Sequence, residues 1–392
     1  MFGPLYAILG LAVLMVVHEA GHFFVAKAFG MRVERFAIGI GPTVFRVQPK
    51  GSPTTYQVGL IPFLAYVQVA GMNPFEEIDP DDEGCYANGS LLGRISVIVA
   101  GPLANYLFAS LVFLAGFLAA GKVSEGTVVM VDEQIELSSD ETVKDKAGQE
   151  QKTFVSPAFA AGLLSGDKIV SIDGVAMHSW EEIPKHVQPK ANHKVQLVVE
   201  RAGRSVPITI TPLERQGKGF IGVRPERIPL PLGEAILPAI EMPARIVVIS
   251  LQSLGRMLLG QERPQFSGPL GLMRETKKAA DAGLGSYLSI LGVLSTSLAF
   301  FNMLPIPALD GGRLMFLGYE AVTRRRANQK VEAQLHMVGM LMLLTTLALV
   351  TYREWGTDKT PSELADEQRN QEKKPEKPAA AASGSPAAGQ AK

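Results

Sequence analysis

The chain has 392 residues, of which 47% are hydrophobic and only 19% are charged, and its mean hydropathy is +0.16. Such values are unusual for a soluble chain and favour a membrane protein. The 38 basic and 38 acidic residues balance, which argues against a nucleic-acid-binding protein, and the single cysteine, Cys85, excludes an intrachain disulfide and a cysteine-based zinc cluster.

Four apolar stretches are each about as long as the ~20 residues that a helix needs to cross a bilayer. They cover residues 2–28, 95–120, 286–304 and 336–352. A signal peptide is the alternative for the first stretch, but this stretch lacks a basic segment at its start. We therefore expect four transmembrane helices, the first of them retained.

A fifth apolar stretch, residues 236–259, differs because its polar residues share one side of a helix. Those that fall within about 60° of one another at 100° per residue are Glu241, Arg245, Gln252 and Arg256. We predict an amphipathic helix on the membrane or against the bundle, within a connector at 228–285. A surface helix of an ordinary soluble protein is the alternative.

Basic residues near the four stretches are distributed asymmetrically. Those between the first two stretches are Lys27, Arg32, Arg35, Arg46, Lys50 and Arg94. Those around the connection between the last two are Arg313, Arg324, Arg325, Arg326 and Lys330. Because loops rich in Lys and Arg stay in the cytosol, we expect both termini and the segment 122–227 to be extracytoplasmic.

The segment 122–227 has a water-soluble composition, with short alternating runs bounded by glycine and aspartate. This pattern is typical of a small α+β domain. Within it, residues 132–152 are acidic and polar and predict an exposed insertion. Residues 356–392 are rich in Pro, Ala, Ser, Gly, Lys and Glu and predict a disordered tail.

The first apolar stretch contains His18-Glu-Ala-Gly-His22. On a helix, residues i and i+4 are about 40° apart, so both imidazoles face one side and can bind zinc. Glu19 between them can act as the base for a bound water. Ionisable side chains at membrane depth are costly and usually mark function. The alternative is a polar turn where the helix ends in the headgroups.

A catalytic zinc site normally has three protein ligands, and the candidate for the third is Asp310. It lies in Asn302-Met-Leu-Pro-Ile-Pro-Ala-Leu-Asp310-Gly-Gly, after the third stretch. Pro305 and Pro307 interrupt the helix, and an irregular backbone at membrane depth is tolerated only where it lines the protein interior or a wet cavity. Alternatively, Asp310 caps the next helical turn.

Three further motifs are Ala100-Gly-Pro-Leu-Ala-Asn105, the segment Ser156–Gly174, and Ser267-Gly-Pro-Leu-Gly. With these motifs, the chain resembles the site-2 protease family of intramembrane zinc metalloproteases, most closely its bacterial regulator of sigma-E protease branch, and Ser156–Gly174 resembles a PDZ domain. The five motifs occur in the family's order across residues 1–352. Residues 36–41 and 56–67 also resemble the family's membrane-reentrant β-hairpin, which is thought to pair with unwound substrate.

The resemblance implies a polytopic α-helical membrane protein with four transmembrane helices. Residues 1–121 and 286–355 would form the catalytic core, and about 36–70 the reentrant hairpin. Residues 122–227 would form an inserted extracytoplasmic PDZ domain. The enzyme would reside in the bacterial cytoplasmic membrane with its active site toward the cytosol.

The resemblance also implies the site and its substrates. His18, His22 and Asp310 would bind Zn²⁺, Glu19 would activate the water, and Asn302 would stabilise the developing oxyanion or position substrate. The partners would be the lipid bilayer and single-span membrane proteins already cut once outside the membrane, such as an anti-sigma factor or a remnant signal peptide. The substrate and the oligomeric state stay open.

Two departures and two alternatives accompany this interpretation. Leu64-Ala65-Tyr66 stands where the family usually has two glycines before the tyrosine, and one PDZ-like unit stands where some members have two. One alternative is a non-proteolytic scaffold whose PDZ domain binds partners and whose zinc is structural. The other is a metal transporter, although such proteins usually have repeated halves and we find no internal repeat.

Overall fold

The computed structural model describes residues 3–73, 76, 79–136, 143–144, 150–151, 153–215, 217–261 and 268–355. Much of the predicted insertion at 132–152 and the whole predicted tail at 356–392 lie outside the described residues. The chain divides into two compact units, one formed by Met1–Leu111 with Glu241–Lys392 and the other by Val112–Ile240.

The described residues contain long apolar helices and several shorter ones. The helices are α1 (Gly3–Ala28), α2 (Leu91–Ala120), α3 (Pro157–Ala160), α4 (Glu182–Val187), α5 (Leu232–Leu258), α6 (Pro269–Asp281), α7 (Leu284–Asn302), α8 (Asp310–Thr323) and α9 (Gln329–Glu354).

The strands form several antiparallel pairs and one larger sheet. They are β1 (Val33–Val47), β2 (Thr55–Val69), β3 (Lys122–Val123), β4 (Val129–Val131), β5 (Gln134–Glu136), β6 (Val143–Lys144), β7 (Glu150–Gln151), β8 (Thr153–Val155), β9 (Lys168–Ile172), β10 (Val175–Ala176), β11 (Val195–Arg201), β12 (Arg204–Ile210), β13 (Leu213–Arg215), β14 (Lys218–Phe220), β15 (Val223–Pro225) and β16 (Arg227–Ile228).

Four of the described helices are long and apolar enough to cross a membrane. They are α1 over Ile8–Ala28, α2, α7 and α9, in agreement with the four predicted stretches. The last helix begins at Gln329, earlier than the predicted start at about residue 336. Its first two turns are polar, so hydropathy alone does not detect them. Asn328 starts this helix by accepting a hydrogen bond from the backbone N–H of Lys330.

The helix predicted over 236–259 forms as α5 and is not among the candidate spans. The segment that follows α5 was predicted to be a connector. It contains the separate helix α6. This helix contacts α1, α7 and α9. It is therefore part of the helical bundle.

Strands β1 and β2 are long and bent, and they pair along more than one register. Residues 33–38 of β1 lie between residues 55–58 and residues 65–69 of β2. The end of this sheet nearest α1 is buried, with Val33 and Val69 packed against Phe23 and Ala26 of that helix. Its far end carries exposed apolar side chains such as Phe45 and Leu60.

The unit Val112–Ile240 contains a four-stranded antiparallel sheet in the order β10-β9-β11-β12. Alternate residues of its central strands, including Ile169, Leu197 and Val199, are fully buried in one apolar core. Asp167 is also buried, and it accepts hydrogen bonds from the guanidinium of Arg201 at 2.6 and 2.7 Å. This arginine holds the pKa of the Asp167 carboxyl below its usual value.

Candidate active site

The two histidines of the first span lie one turn apart on a buried face of α1. Both are only 5% exposed. The Nδ1 atom of His22 lies 2.7 Å from the carbonyl oxygen of Val97 in α2. Because a carbonyl can only accept, this nitrogen carries the proton, and the Nε2 lone pair of His22 is free to bind a metal.

Two glycines permit this close approach of α1 and α2. A Cβ atom on Gly21 would overlap the carbonyl oxygen of Ala100, and a Cβ atom on Gly101 would overlap Nε2 of His22. Gly21 of the His18–His22 motif and Gly101 of the Ala100–Asn105 motif therefore each face the other helix at the level of the histidines. Small residues at such contacts let helix backbones pack closely.

Asp310 reaches the histidines from a break between two helices. Helix α7 ends at Asn302, and Asp310 is the first residue of α8. Its Oδ2 atom lies 3.1 Å from Nε2 of His18 and 3.4 Å from Nε2 of His22. The two Nε2 atoms are 3.2 Å apart. Three ligand atoms from two distant parts of the sequence thus converge on one point.

The geometry of this convergence fits a tetrahedral metal. For ligand bonds of about 2.0–2.1 Å, neighbouring ligand atoms in a tetrahedron are about 3.3 Å apart. The observed separations are 3.1–3.4 Å. The Oδ2 atom of Asp310 is buried without a hydrogen-bond donor among the described residues. Facing lone pairs repel one another unless a cation lies among them, so the donor set suits zinc.

Asn105 of α2 completes the surroundings of His18. It is fully buried, and its amide nitrogen lies 3.3 Å from Nδ1 of His18, while its amide oxygen has no partner among the described residues. The two ends of an amide have the same shape. Turned by 180°, the oxygen of Asn105 accepts the Nδ1–H of His18, which leaves Nε2 of that histidine free for a metal.

Glu19 lies in the same cavity and is held by the sheet. Its Oε2 atom accepts a hydrogen bond of 2.9 Å from the backbone N–H of Val67 in β2. The cavity has a volume of about 920 Å³ and is lined by Glu19, both histidines, Asp310 and Asn302. All five predicted site residues therefore line one cavity.

The side chain of Asn302 makes one hydrogen bond within its own helix. Its Nδ2 atom donates to the carbonyl oxygen of Leu298 at 3.0 Å, a bond to the preceding turn of α7. An amide nitrogen has two hydrogens, so this bond uses only one of the two donors of Asn302, a residue that lines the cavity.

Several other residues that line this cavity were not assigned to the site from the sequence, among them Val67, Arg313 and His336. Val67 contributes a backbone group, which has no sequence signature. His336 could have been found by the argument used for His18, because it is an ionisable residue at the start of the fourth apolar stretch.

A second cavity of about 430 Å³ lies beside the first and shares Arg313 with it. Its wall contains Arg94, which donates two hydrogen bonds of 2.6 and 3.0 Å to Glu320 of α8. The guanidinium of Arg94 lowers the pKa of Glu320, which therefore stays ionised. This ion pair joins the start of α2 to α8, the helix that begins with Asp310.

Comparison with known proteins places this arrangement in a family. The model of peptidase family M50 matches residues 6–346. The Escherichia coli regulator of sigma-E protease RseP is 26% identical, with 89% of this chain and 97% of that protein covered. A putative zinc metalloprotease from Nostoc is 29% identical over 90% of this chain and 98% of its own length. One from Clostridium acetobutylicum is 28% identical over 90% and 97%.

The family match spans most of the chain, includes both halves of the histidine and aspartate cluster, and agrees with the four candidate spans. The chain belongs to peptidase family M50, the site-2 proteases, and is an intramembrane zinc metalloprotease.

Proposed function

We propose that the enzyme cuts a peptide bond within or near the transmembrane segment of single-span membrane proteins, as a step of regulated intramembrane proteolysis. The observation that carries this proposal is the meeting of two histidines, an aspartate and a glutamate in one cavity of a chain with four candidate spans. The E. coli relative is named a regulator of sigma-E protease. An anti-sigma factor or a remnant signal peptide, already cut outside the membrane, is the proposed substrate.

In this proposal His18, His22 and Asp310 are the protein ligands of zinc. When bound, zinc lowers the pKa of water toward neutrality and polarises a scissile carbonyl. Glu19 takes the proton of the attacking water and passes it to the leaving amine nitrogen. The N–H of Val67 supports this role because it fixes one carboxylate oxygen of Glu19 and leaves the other free.

Asn302 is proposed to assist the developing negative charge or to position the substrate. Asn302 lines the cavity, and its bond to Leu298 uses only one of its two amide hydrogens, so the other is the proposed donor. Asn105 and Val97 are proposed to set the orientation of the two histidine rings.

We further propose that β1 and β2 form a membrane-reentrant sheet that receives the unwound substrate. A transmembrane helix must unwind before its backbone can reach a metal, and pairing with a strand satisfies the N–H and C=O groups that unwinding exposes. The exposed apolar side chains at the far end of this sheet suit a lipid environment. Residues 122–227 are proposed to be an extracytoplasmic PDZ-like domain that filters substrates by size or binds their trimmed ends.

Hydrolysis also requires water at membrane depth, which lipid does not supply. The two cavities have Arg313 in common, and the second is lined by charged residues such as Arg94 and Glu320, so we propose that water reaches the active site along them. We propose that this path opens toward the cytosol in the bacterial cytoplasmic membrane. The basic residues around the connection between α8 and α9 support this orientation.

Substitution Glu19→Gln tests the proposed mechanism. Glutamine preserves an acceptor for the N–H of Val67 but cannot carry the proton, so we expect cleavage of a single-span model substrate to fall by about 10²- to 10⁴-fold. Zinc content, measured by mass spectrometry of the purified protein, should stay at the wild-type level. Glu241→Gln is the matched control, because the side chain of Glu241 on α5 is 44% exposed and makes only an i,i+4 ion pair with Arg245 among the contacts described.

Normal cleavage by the Glu19→Gln protein would remove Glu19 from the mechanism. A wild-type protein that holds zinc but cuts no single-span substrate would instead favour the non-proteolytic scaffold. Quantitative proteomics of membranes from wild-type and Glu19→Gln cells then identifies substrates, which accumulate in the variant as fragments of a first extracytoplasmic cut.

A further inference from the structure

The loop that carries Asp310 adopts a conformation that its own sequence does not favour. Residues 303–309 join α7 to α8 without regular structure. Ala308 has a φ of 77°, in the left-handed region that a residue with a Cβ atom rarely occupies. A conformation of this kind is strained and persists only when its surroundings hold it.

His336 of α9 is the group that holds this residue. Its Nδ1 atom accepts a hydrogen bond of 2.9 Å from the backbone N–H of Ala308. Nδ1 is therefore unprotonated, and the ring is the neutral tautomer with its proton on Nε2. The ring also packs beside Phe316 of α8, with the centroids 5.9 Å apart.

One turn further along α9, Gly339 lies against the same loop. A Cβ atom on Gly339 would lie 2.5 Å from the carbonyl oxygen of Pro307 and 2.6 Å from its Cβ atom. Any larger residue would have to displace the loop or the helix. The face of α9 that carries His336 and Gly339 thus packs directly on Pro307 and Ala308, just before Asp310.

The rest of this helix is mostly exposed within the structure. Val338 is 62% exposed and Leu341 is 65% exposed. Such apolar residues suit contact with lipid. A histidine on the inner face of such a span is costly unless it has a polar partner, and the partner found here is a backbone N–H of the ligand-bearing loop.

We propose that His336 and Gly339 are positioning residues for the third metal ligand. They hold Pro307 and Ala308 in place, so that the carboxylate of Asp310 faces the two histidines. The inference rests on the proposed role of Asp310 as a zinc ligand. It gives the fourth span a part in assembling the metal site, although that span supplies no ligand itself.

Zinc affinity of the purified full-length protein tests the inference, measured by competition with a chelator. His336→Leu leaves the N–H of Ala308 unpaired, and we expect zinc affinity to fall about 10- to 100-fold, as for other partners outside the ligand set. In His336→Asn the side-chain oxygen can take the place of Nδ1, so affinity should stay within about threefold of wild type. Gly339→Ala should weaken zinc binding because it displaces the loop.

Val338→Ala is the control for this series. Val338 lies on the same turn of α9 but is exposed, and its truncation should leave zinc affinity unchanged. The asparagine variant keeps the test decisive if the leucine variant fails to fold. A positioning role then requires His336→Asn to bind zinc more tightly than Gly339→Ala does.

A double-mutant cycle with Asp310→Asn separates positioning from general destabilisation. If His336 acts through Asp310, His336→Leu should change zinc affinity by less than about threefold once Asp310 has been replaced. An equal loss in both backgrounds, or wild-type affinity in His336→Leu, would overturn the inference. Neither result depends on proteolysis, so failure of the proposed substrate class leaves this test intact.

Discussion

The proposed metal site depends on single side chains and on a glycine that has none. His18 and His22 would supply two nitrogens, and Gly101 leaves space beside them, since a Cβ atom there would overlap Nε2 of His22. The A-G-P-x-A-N motif therefore lies directly against the proposed metal centre. Its glycine clears the ligand nitrogen of one histidine, and Asn105 contacts the ring of the other.

Gly101→Ala is expected to abolish zinc binding without preventing membrane insertion. The added methyl group would overlap Nε2 of His22, the nitrogen proposed to bind the metal, and neither helix can move away easily in a packed interface. We expect zinc content to fall at least 10-fold, as measured by elemental analysis of the purified protein.

Gly318→Ala is the matched control for that substitution. Gly318 also lies within a helix, but a Cβ atom there would meet open space. This variant should keep its zinc and gain up to about 1 kcal/mol of stability, because alanine favours helix more than glycine does. Full zinc content in Gly101→Ala would show that α1 and α2 can separate at this level.

The ligand candidates could be predicted from the sequence, whereas their supporting groups could not. His18, Glu19, His22 and Asp310 are ionisable residues in or beside apolar stretches, which makes them visible in a single sequence. The N–H of Val67 and the carbonyl of Val97 belong to the backbone and have no sequence signature. Their roles depend on contacts between residues 48 and 75 positions apart.

At the scale of elements, α6 is anchored by the end of α9. The carboxylate of Glu354 is buried and accepts hydrogen bonds from the backbone N–H groups of Gly268 and Gly271, at 2.7 and 3.1 Å. The first N–H groups of a helix lack partners within the helix and carry partial positive charge. Residues 268–271 of the S-G-P-x-G motif thus form the start of a helix that a distant glutamate caps.

Glu354→Ala is expected to destabilise the protein by about 2–3 kcal/mol, because it leaves two buried N–H groups without an acceptor. Thermal unfolding in detergent should show a lower midpoint, and hydrogen exchange should increase at residues 268–272. Glu354→Gln should lose about half as much, since it retains one acceptor. Arg353→Gln is the neighbouring control, because Arg353 is exposed.

An unchanged midpoint and unchanged exchange in Glu354→Ala would show that the capping bonds contribute nothing to stability.

Helix α6 itself was not predicted from the sequence. Its residues Pro269–Asp281 include charged positions and form too short a helix to span a bilayer, so hydropathy gives no signal for it. Packing against α1, α7 and α9 determines its place.

At the scale of the whole molecule, hydropathy identified the spans because lipid imposes both their length and their composition. It could not give the division into units, since residues far apart in the sequence, Met1–Leu111 and Glu241–Lys392, form one of them. The proposed orientation in the membrane rests instead on the uneven distribution of Lys and Arg between the connecting segments.

Cysteine labelling tests that orientation, and the chain suits it because its only cysteine, Cys85, is buried. A membrane-impermeant maleimide should label Ser205→Cys in intact spheroplasts, because Ser205 is exposed in the proposed extracytoplasmic domain. Thr323→Cys, at the exposed end of α8, should be labelled only after the membrane is permeabilised. The reverse pattern would invert the proposed topology.

The hydrogen bond from Val67 to Glu19 has a consequence for inhibition. The strand proposed to receive the substrate is also bonded to the proposed catalytic base, at 2.9 Å. A strand-like ligand that shifts β2 by about an ångström would break that bond, because hydrogen bonds weaken steeply beyond their normal length. We therefore expect such a peptidomimetic to inhibit this protease by breaking the hydrogen bond that positions the proposed base. It would need no chelating group and would not compete for the metal.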